Sequence, residues 1–319
     1  MRKIILLAML AVMVPLNAFA GPSGNFQVEE SKNAYSSKRI TLGIQTGLAN
    51  GVAHELVYQG GHKLSELIWD IKNVLMLEAN VSALLSRSKG VRLNASISSM
   101  VKKQDSTMDD YDWFIVGADW THWSHHENTT LEKGLTFDVS LSKRIFSNES
   151  GAFNFEGEIG FRRDNWRWSA SGGSFVYSVA GFRDTTGVFA NIPVISYEQT
   201  INTPYVGASA SYREKDVSLY LRLAGSPMVF AETVDQHYLR SLTITDTFRS
   251  GKMVNVDVSG IWHMSKSVDL SINYSYVKYF EKKGDAHYNY YATGVQLYGP
   301  FAAMDLGYQT VGVGVSYSF

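Results

Sequence analysis

Val268-Asp269-Leu270-Ser271-Ile272-Asn273-Tyr274-Ser275-Tyr276 alternates apolar with polar side chains along its whole length. Successive side chains of a strand point to opposite faces, so this segment has one apolar face and one polar face. The same pattern recurs throughout the chain. Ile40, Leu42 and Ile44 share a face, as do Leu75, Leu77, Ala79 and Val81, and then Val91, Leu93, Ala95 and Ile97. Leu135, Phe137, Val139 and Leu141 repeat it, followed by Phe153, Phe155, Ile159 and Phe161. Val206 to Tyr212, Val217 to Leu223 and Val254 to Val258 continue it, and the chain closes on Val311, Val313, Val315, Tyr317 and Phe319. About ten strands are predicted, each with an unbroken apolar face. A soluble sandwich has no need of such a face on every strand. A closed antiparallel transmembrane β-barrel does, because closure leaves no unpaired backbone edge in lipid. The expected fold class is therefore all-β, with short periplasmic turns and long extracellular loops.

The amino terminus fits an exported chain. Arg2 and Lys3 precede a short apolar run from Ile4 to Leu16, and Ala18-Phe19-Ala20 is a small-residue cleavage site. Residues 1–20 read as a cleaved signal peptide and 21–319 as a single barrel domain in the outer membrane. The remainder has no apolar stretch long enough for a membrane-spanning helix. It has no Cys, which excludes disulfides and thiolate metal sites. A net charge of -1 argues against nucleic-acid binding. Abundant Tyr and Trp beside only 6 Pro suit a barrel with aromatic rims.

The connections alternate in length. Short turns fall at 86–90, 147–151, 214–216 and 265–267. Long polar, aromatic-rich segments fall near 102–132, 163–193, 233–250 and 280–301. With the amino terminus in the periplasm, the long segments all face outward, and the first outer turn is the short Gln59-Gly60-Gly61. Inward positions carry both signs: Glu78, Asp138, Glu156, Glu158 and Asp257 against Arg92, Arg162 and Arg222. About ten strands enclose a narrow lumen, which paired charges would fill, so a diffusion pore is disfavoured.

Two acid-bearing segments lie in the outer region. In Met108-Asp109-Asp110-Tyr111-Asp112-Trp113, the i, i+2 spacing puts Asp110 and Asp112 on one face. In Asp235-Gln236-His237 the same spacing pairs Asp235 with His237. A carboxylate beside an imidazole fixes its tautomer and supports its charged form, so that the ring can take a proton from water near neutral pH. An opposed pair of carboxylates can hold that water. Trp120-Thr121-His122-Trp123-Ser124-His125-His126 has no orderly ligand spacing, so no metal site is expected.

Several segments, in order, resemble the omptins, ten-stranded outer-membrane endoproteases. These are His54-Glu55-Leu56-Val57-Tyr58 with Gly60-Gly61-His62-Lys63, the Met108–Trp113 segment, Trp120–Thr129, Ser169–Tyr177, Gly181-Phe182-Arg183-Asp184, Pro204-Tyr205-Val206-Gly207 and Asp235-Gln236-His237-Tyr238. The resemblance covers nearly the whole mature chain. It implies that Asp110, Asp112, Asp235 and His237 are catalytic, with a water between Asp110 and His237 and no covalent intermediate. It implies cleavage at basic residues, with Glu55 as one substrate-binding acid. The second such acid falls at Thr233, beside Glu232, and a family Asp on the leaving-group side is His122, so the basic preference is expected to be relaxed. It also implies lipopolysaccharide as a partner and activator. The family's basic residues for it fall at Asn165 and Thr200, leaving Arg163, Arg167 and Arg183 as substitutes. No cofactor, a monomer, and basic peptides or host proteins as substrates at the cell surface complete the expectation. The alternative is an adhesive or structural barrel with little proteolysis.

Overall fold

Each alternating segment forms a strand, and most strands run well past the apolar alternation that predicts them. The computed structural model describes residues 39–319, and the expected signal peptide lies outside the described residues. The strands are β1 (Ile40–Gln59), β2 (His62–Ser86), β3 (Val91–Met100), β4 (Gln104–Asp112), β5 (His122–Ser147), β6 (Phe153–Ser171), β7 (Ser174–Tyr177), β8 (Thr185–Val188), β9 (Pro193–Glu214), β10 (Val217–His237), β11 (Leu242–His263), β12 (Val268–Tyr290) and β13 (Val295–Ser318). All pairings are antiparallel. β13 returns to β1 in register from Thr41–Ser318 up to Val57–Ala302, which closes the sheet. β3 and β4 are one strand position broken at 101–103, since both pair with β2 and β5. β7 and β8 form a hairpin mounted on β5. The closed ring therefore has ten strand positions, as the alternation predicts.

The lower rim, which carries Ile40 and Phe319, is joined by the short turns around residues 87–90, 148–152, 215–216 and 264–267. The longer connections lie at the upper rim. Much of each is itself strand: β4, the upper half of β5 and the upper parts of β9 to β13 continue the ladder above the apolar band. Backbone groups must be paired or hydrated wherever they lie, and extending an existing ladder satisfies them without new turns. The outward apolar face is continuous in the lower half, where Ile44, Leu77, Ile97, Ile159, Leu219, Ile272 and Val313 are all exposed, and sparser above, as at Phe230 and Val234 of β10. The continuous part is the lipid-facing band. Higher up, the outward positions become polar, as at His54, Lys72, Thr107 and Asp109.

The interior is layered. At the bottom is a polar cavity of about 390 Å³ among Glu78, Asp138, Glu158, Arg222 and Asp257. Arg222 bonds Glu158 (2.5 Å) and Asp257 (2.8 Å) there, so the expected charge pairing is present across the lumen. Above it, fully buried Asp164 accepts two hydrogen bonds from Arg162 and others from Thr136, Tyr279 and Tyr308. Next comes an aromatic layer. Trp69 stacks on Tyr197 at 5.6 Å and meets Trp168 at 6.0 Å, and Trp166 packs edge-on against Tyr308 at 5.1 Å. Leu131, Ile201 and Leu306 fill the gaps. This layer is the floor of the upper cleft.

Candidate active site

Strand periodicity decides which residues enter the cleft. On β4, Ser106, Met108, Asp110 and Asp112 point inward, while Asp109 and Tyr111 point outward. Asp110 lies opposite Leu67 of β2 and Ser124 of β5, and Asp112 opposite Ser65 and His122. Ser65 Oγ donates to Asp110 Oδ1 at 3.2 Å. On β10, Val229, Ala231, Thr233, Asp235 and His237 form the inward row. His237 Nε2 lies 2.5 Å from Asp235 Oδ2, and Asp235 is only 1% exposed. Glu55 projects inward from β1, buried between Leu67 and Met304. The sequence-predicted residues Asp110, Asp112, Asp235, His237 and Glu55 thus line one cleft.

Electrostatics follow from burial. Asp110 is pushed up to about 7, first by loss of water and then by the neighbouring Asp112 charge, with His237 and Arg240 opposing. Burial lifts Asp112 to about 6. Burial raises Glu55 well above the carboxylate range, reinforced by the nearby Asp235 and Asp246 charges. Burial also raises Asp235 and lowers His237, driving both toward their neutral forms. His237 and Asp110 lie close enough for each to feel the other's charge, which brings the dyad and the aspartate pair into one site. Two buried acids, an imidazole and a second acid pair can therefore bind a water and move its proton near neutral pH.

Other predicted residues fall elsewhere. Glu232 is exposed on the outward face of β10 and cannot reach the cleft, because the two-residue period turns it away from Thr233 and Asp235. Thr233 does face inward, and its Oγ1 donates to Asp246 Oδ2 at 3.1 Å. Asp246, on β11 directly opposite Thr233, is 3% exposed and belongs to the acid cluster; the sequence reading missed it. His122 sits beside Asp112, its ring 4.8 Å from both Phe114 and Tyr177, and burial lowers its pKa. The three neighbouring histidines do not converge. His125 Nδ1 turns outward to Asp109 (2.9 Å), while His126 Nδ1 turns inward to the Gly172 carbonyl (2.6 Å).

The three arginines also part company. Arg163 and Arg167 are exposed on the outer wall of β6, where Arg163 donates to Asn202. Between them Asn165 donates to Glu198 and Thr200. Arg183 instead lies in the upper connection. It donates to Asp119 and twice to the Trp120 carbonyl, with its guanidinium 3.3 Å over the Trp120 ring. It ties two loops together and is not part of the wall.

The model of the Omptin family matches residues 36–319. The chain is a member of the omptin family. A plasminogen activator of Yersinia pestis is 28% identical over 91% of this omptin and 95% of that protein. The outer membrane protease OmpP of Escherichia coli K12 is 27% identical over 81% of this chain and 83% of its own length. Among solved structures, the outer membrane protease OmpT of Escherichia coli superposes with a TM-score of 0.85 at 23% identity, covering 88% of this omptin and 97% of that chain. That likeness bears on the fold, and it confirms the ten-position barrel. This omptin is an outer-membrane β-barrel whose relatives are outer membrane proteases.

Proposed function

We propose that this omptin is a cell-surface endopeptidase that cleaves beside basic residues with a water activated between Asp110 and His237. The observation that carries the reading is the 2.5 Å His237–Asp235 contact, with His237 near enough for its charge to be felt at Asp110 of the Asp110–Asp112 face. With Nε2–H directed at the Asp235 carboxylate, Nδ1 carries the lone pair that takes the water's proton. In the step, the water oxygen bonds to the scissile carbonyl carbon while its proton passes to the dyad. The carbon–nitrogen bond then breaks as the dyad returns that proton to the leaving amine. Asp235 orients the ring and offsets its charge. Ser65 holds Asp110 in place, and Asp112 helps to position the water or the substrate. Peptide cleavage of this kind needs no group beyond the chain and water. The acid-lined cleft supports a cationic substrate side chain at Glu55. Arg163 and Arg167, outward on the wall, support contact with lipopolysaccharide phosphates.

The test is to refold the barrel with and without lipopolysaccharide and offer fluorogenic peptides containing Arg-Arg or Lys-Arg. Asp110→Asn and His237→Ala should each lower kcat by on the order of 10²–10⁴. A correctly folded wild-type barrel that cleaves no basic peptide under either condition would overturn the reading in favour of an adhesive or structural barrel. Equal activity with and without lipopolysaccharide would remove the activator role alone.

A further inference from the structure

We infer that Asp246 is a specificity-determining residue, and that with Glu55 it forms a two-carboxylate pocket for a guanidinium side chain of the substrate. This deepens the endopeptidase reading and rests on it for the word substrate. Asp246 stands directly across the β10–β11 ladder from Thr233, and cross-strand partners share a face, so both look into the cleft. Thr233 carries no charge, and its hydroxyl occupies only Oδ2 of Asp246. Asp246 Oδ1 and Glu55 Oε2 are both buried without any hydrogen-bond donor from the chain. Asp246 and Glu55 are each 3% exposed.

Buried acceptors without donors are costly, and two of like sign in one cleft are more so, unless a cation supplies what is missing. Asp246 lies near enough for its charge to be felt at Glu55, and Tyr197 and Tyr288 feel the charges of both acids. Two acceptor oxygens near two phenols match a planar fork of N–H donors better than a compact ammonium. The acid has in effect moved one strand over, from β10 to β11, while Thr233 keeps it oriented. Burial also lifts Asp246 to about 7, as expected of an acid waiting for a counter-charge.

The experiment uses the refolded full barrel and two probes, the small guanidinium agmatine and paired peptides with Arg or its uncharged analogue citrulline before the scissile bond. Asp246→Asn should weaken agmatine binding and raise KM for the Arg peptide by about tenfold or more, the scale of one charged hydrogen bond, with kcat changed less than about threefold. The Arg-over-citrulline preference should fall in parallel. Adding Thr233→Asp to Asp246→Asn, which returns the acid to β10, should recover most of both, whereas Thr233→Asn should not. Glu232→Gln should behave as wild type. Should Asp246→Asn not refold, judged by heat-modifiable gel migration, Asp246→Ser makes the same comparison. Agmatine that binds wild type and variant alike, or neither, overturns the inference. Agmatine binding that depends on Asp246 in a barrel that cleaves nothing would sustain the pocket and remove the endopeptidase reading.

Discussion

The groups in the cleft titrate where water is scarce, and their pH behaviour follows from that. Asp110 and Asp112 ionise near 7 and 6 respectively. Cleavage should therefore rise as pH increases from about 5 to 8, in step with their ionisation. Asp112→Asn removes the neighbouring charge that helps lift Asp110, so the rising limb of the residual kcat/KM profile should move to lower pH. An unmoved limb would show that the two acids are not coupled. Stability runs the other way. Asp110 and Asp246 have folded-state values near 7 against about 4 in the unfolded chain, so the folded barrel holds more protons between those limits. Their contribution is fully present below about pH 4 and is lost as pH rises through 7. The thermal midpoint should fall between pH 5 and 8, and Asp246→Asn should flatten that slope. A midpoint independent of pH in the wild type would contradict the burial of these acids.

At the level of the strand, register is what the sequence yields only in part. Period-two alternation in the apolar band locates every ring strand and places Asp110 with Asp112, and Asp235 with His237, on single faces. It also foretells that Glu232 turns away from Thr233, though adjacency in the chain suggested otherwise. Asp246 was illegible for a different reason. Its segment alternates Leu242, Ile244 and Phe248 with threonines but falls within the 233–250 stretch expected as an outer connection, and nothing in it announces that β10 and β11 continue in register up to His237–Leu242. Only that register sets Asp246 opposite Thr233. Arg183 was misread because its charge fits a phosphate site, while the fold spends it on the Trp120 carbonyl and ring. Arg183→Ala should speed protease nicking and hydrogen exchange across 113–121 and 178–185 while leaving the ring strands protected. Arg183→Lys should not restore protection, since an ammonium cannot stack and fork together. Equal exchange in all three proteins would show the contact to be incidental.

Across the whole barrel, the stacked layers separate the cleft from the lower rim. Asp164 neutralises Arg162 in the middle of that stack, so Asp164→Ala leaves a buried guanidinium with only the more distant Asp138 carboxylate at 3.8 Å and should cost about 3 kcal/mol, read as a lower urea midpoint in refolding titrations. A loss under about 1 kcal/mol would mean that water already fills the layer. The outer face makes a separate demand. Ile44→Arg places a cation in the apolar band and should cost about 2–4 kcal/mol, whereas the same change at Thr107, above the band, should be nearly neutral. The strands that carry the cleft rise well clear of that band. Glu55 lies several residues beyond Leu48, the last exposed large apolar side chain of β1, so at ordinary strand rise and tilt the cleft stands roughly 15–20 Å above that residue. That standoff acts as a ruler. A neighbouring membrane protein offers a scissile bond only if its tether reaches that height, so segments hugging the bilayer are spared, while detached or long-stalked chains are within range.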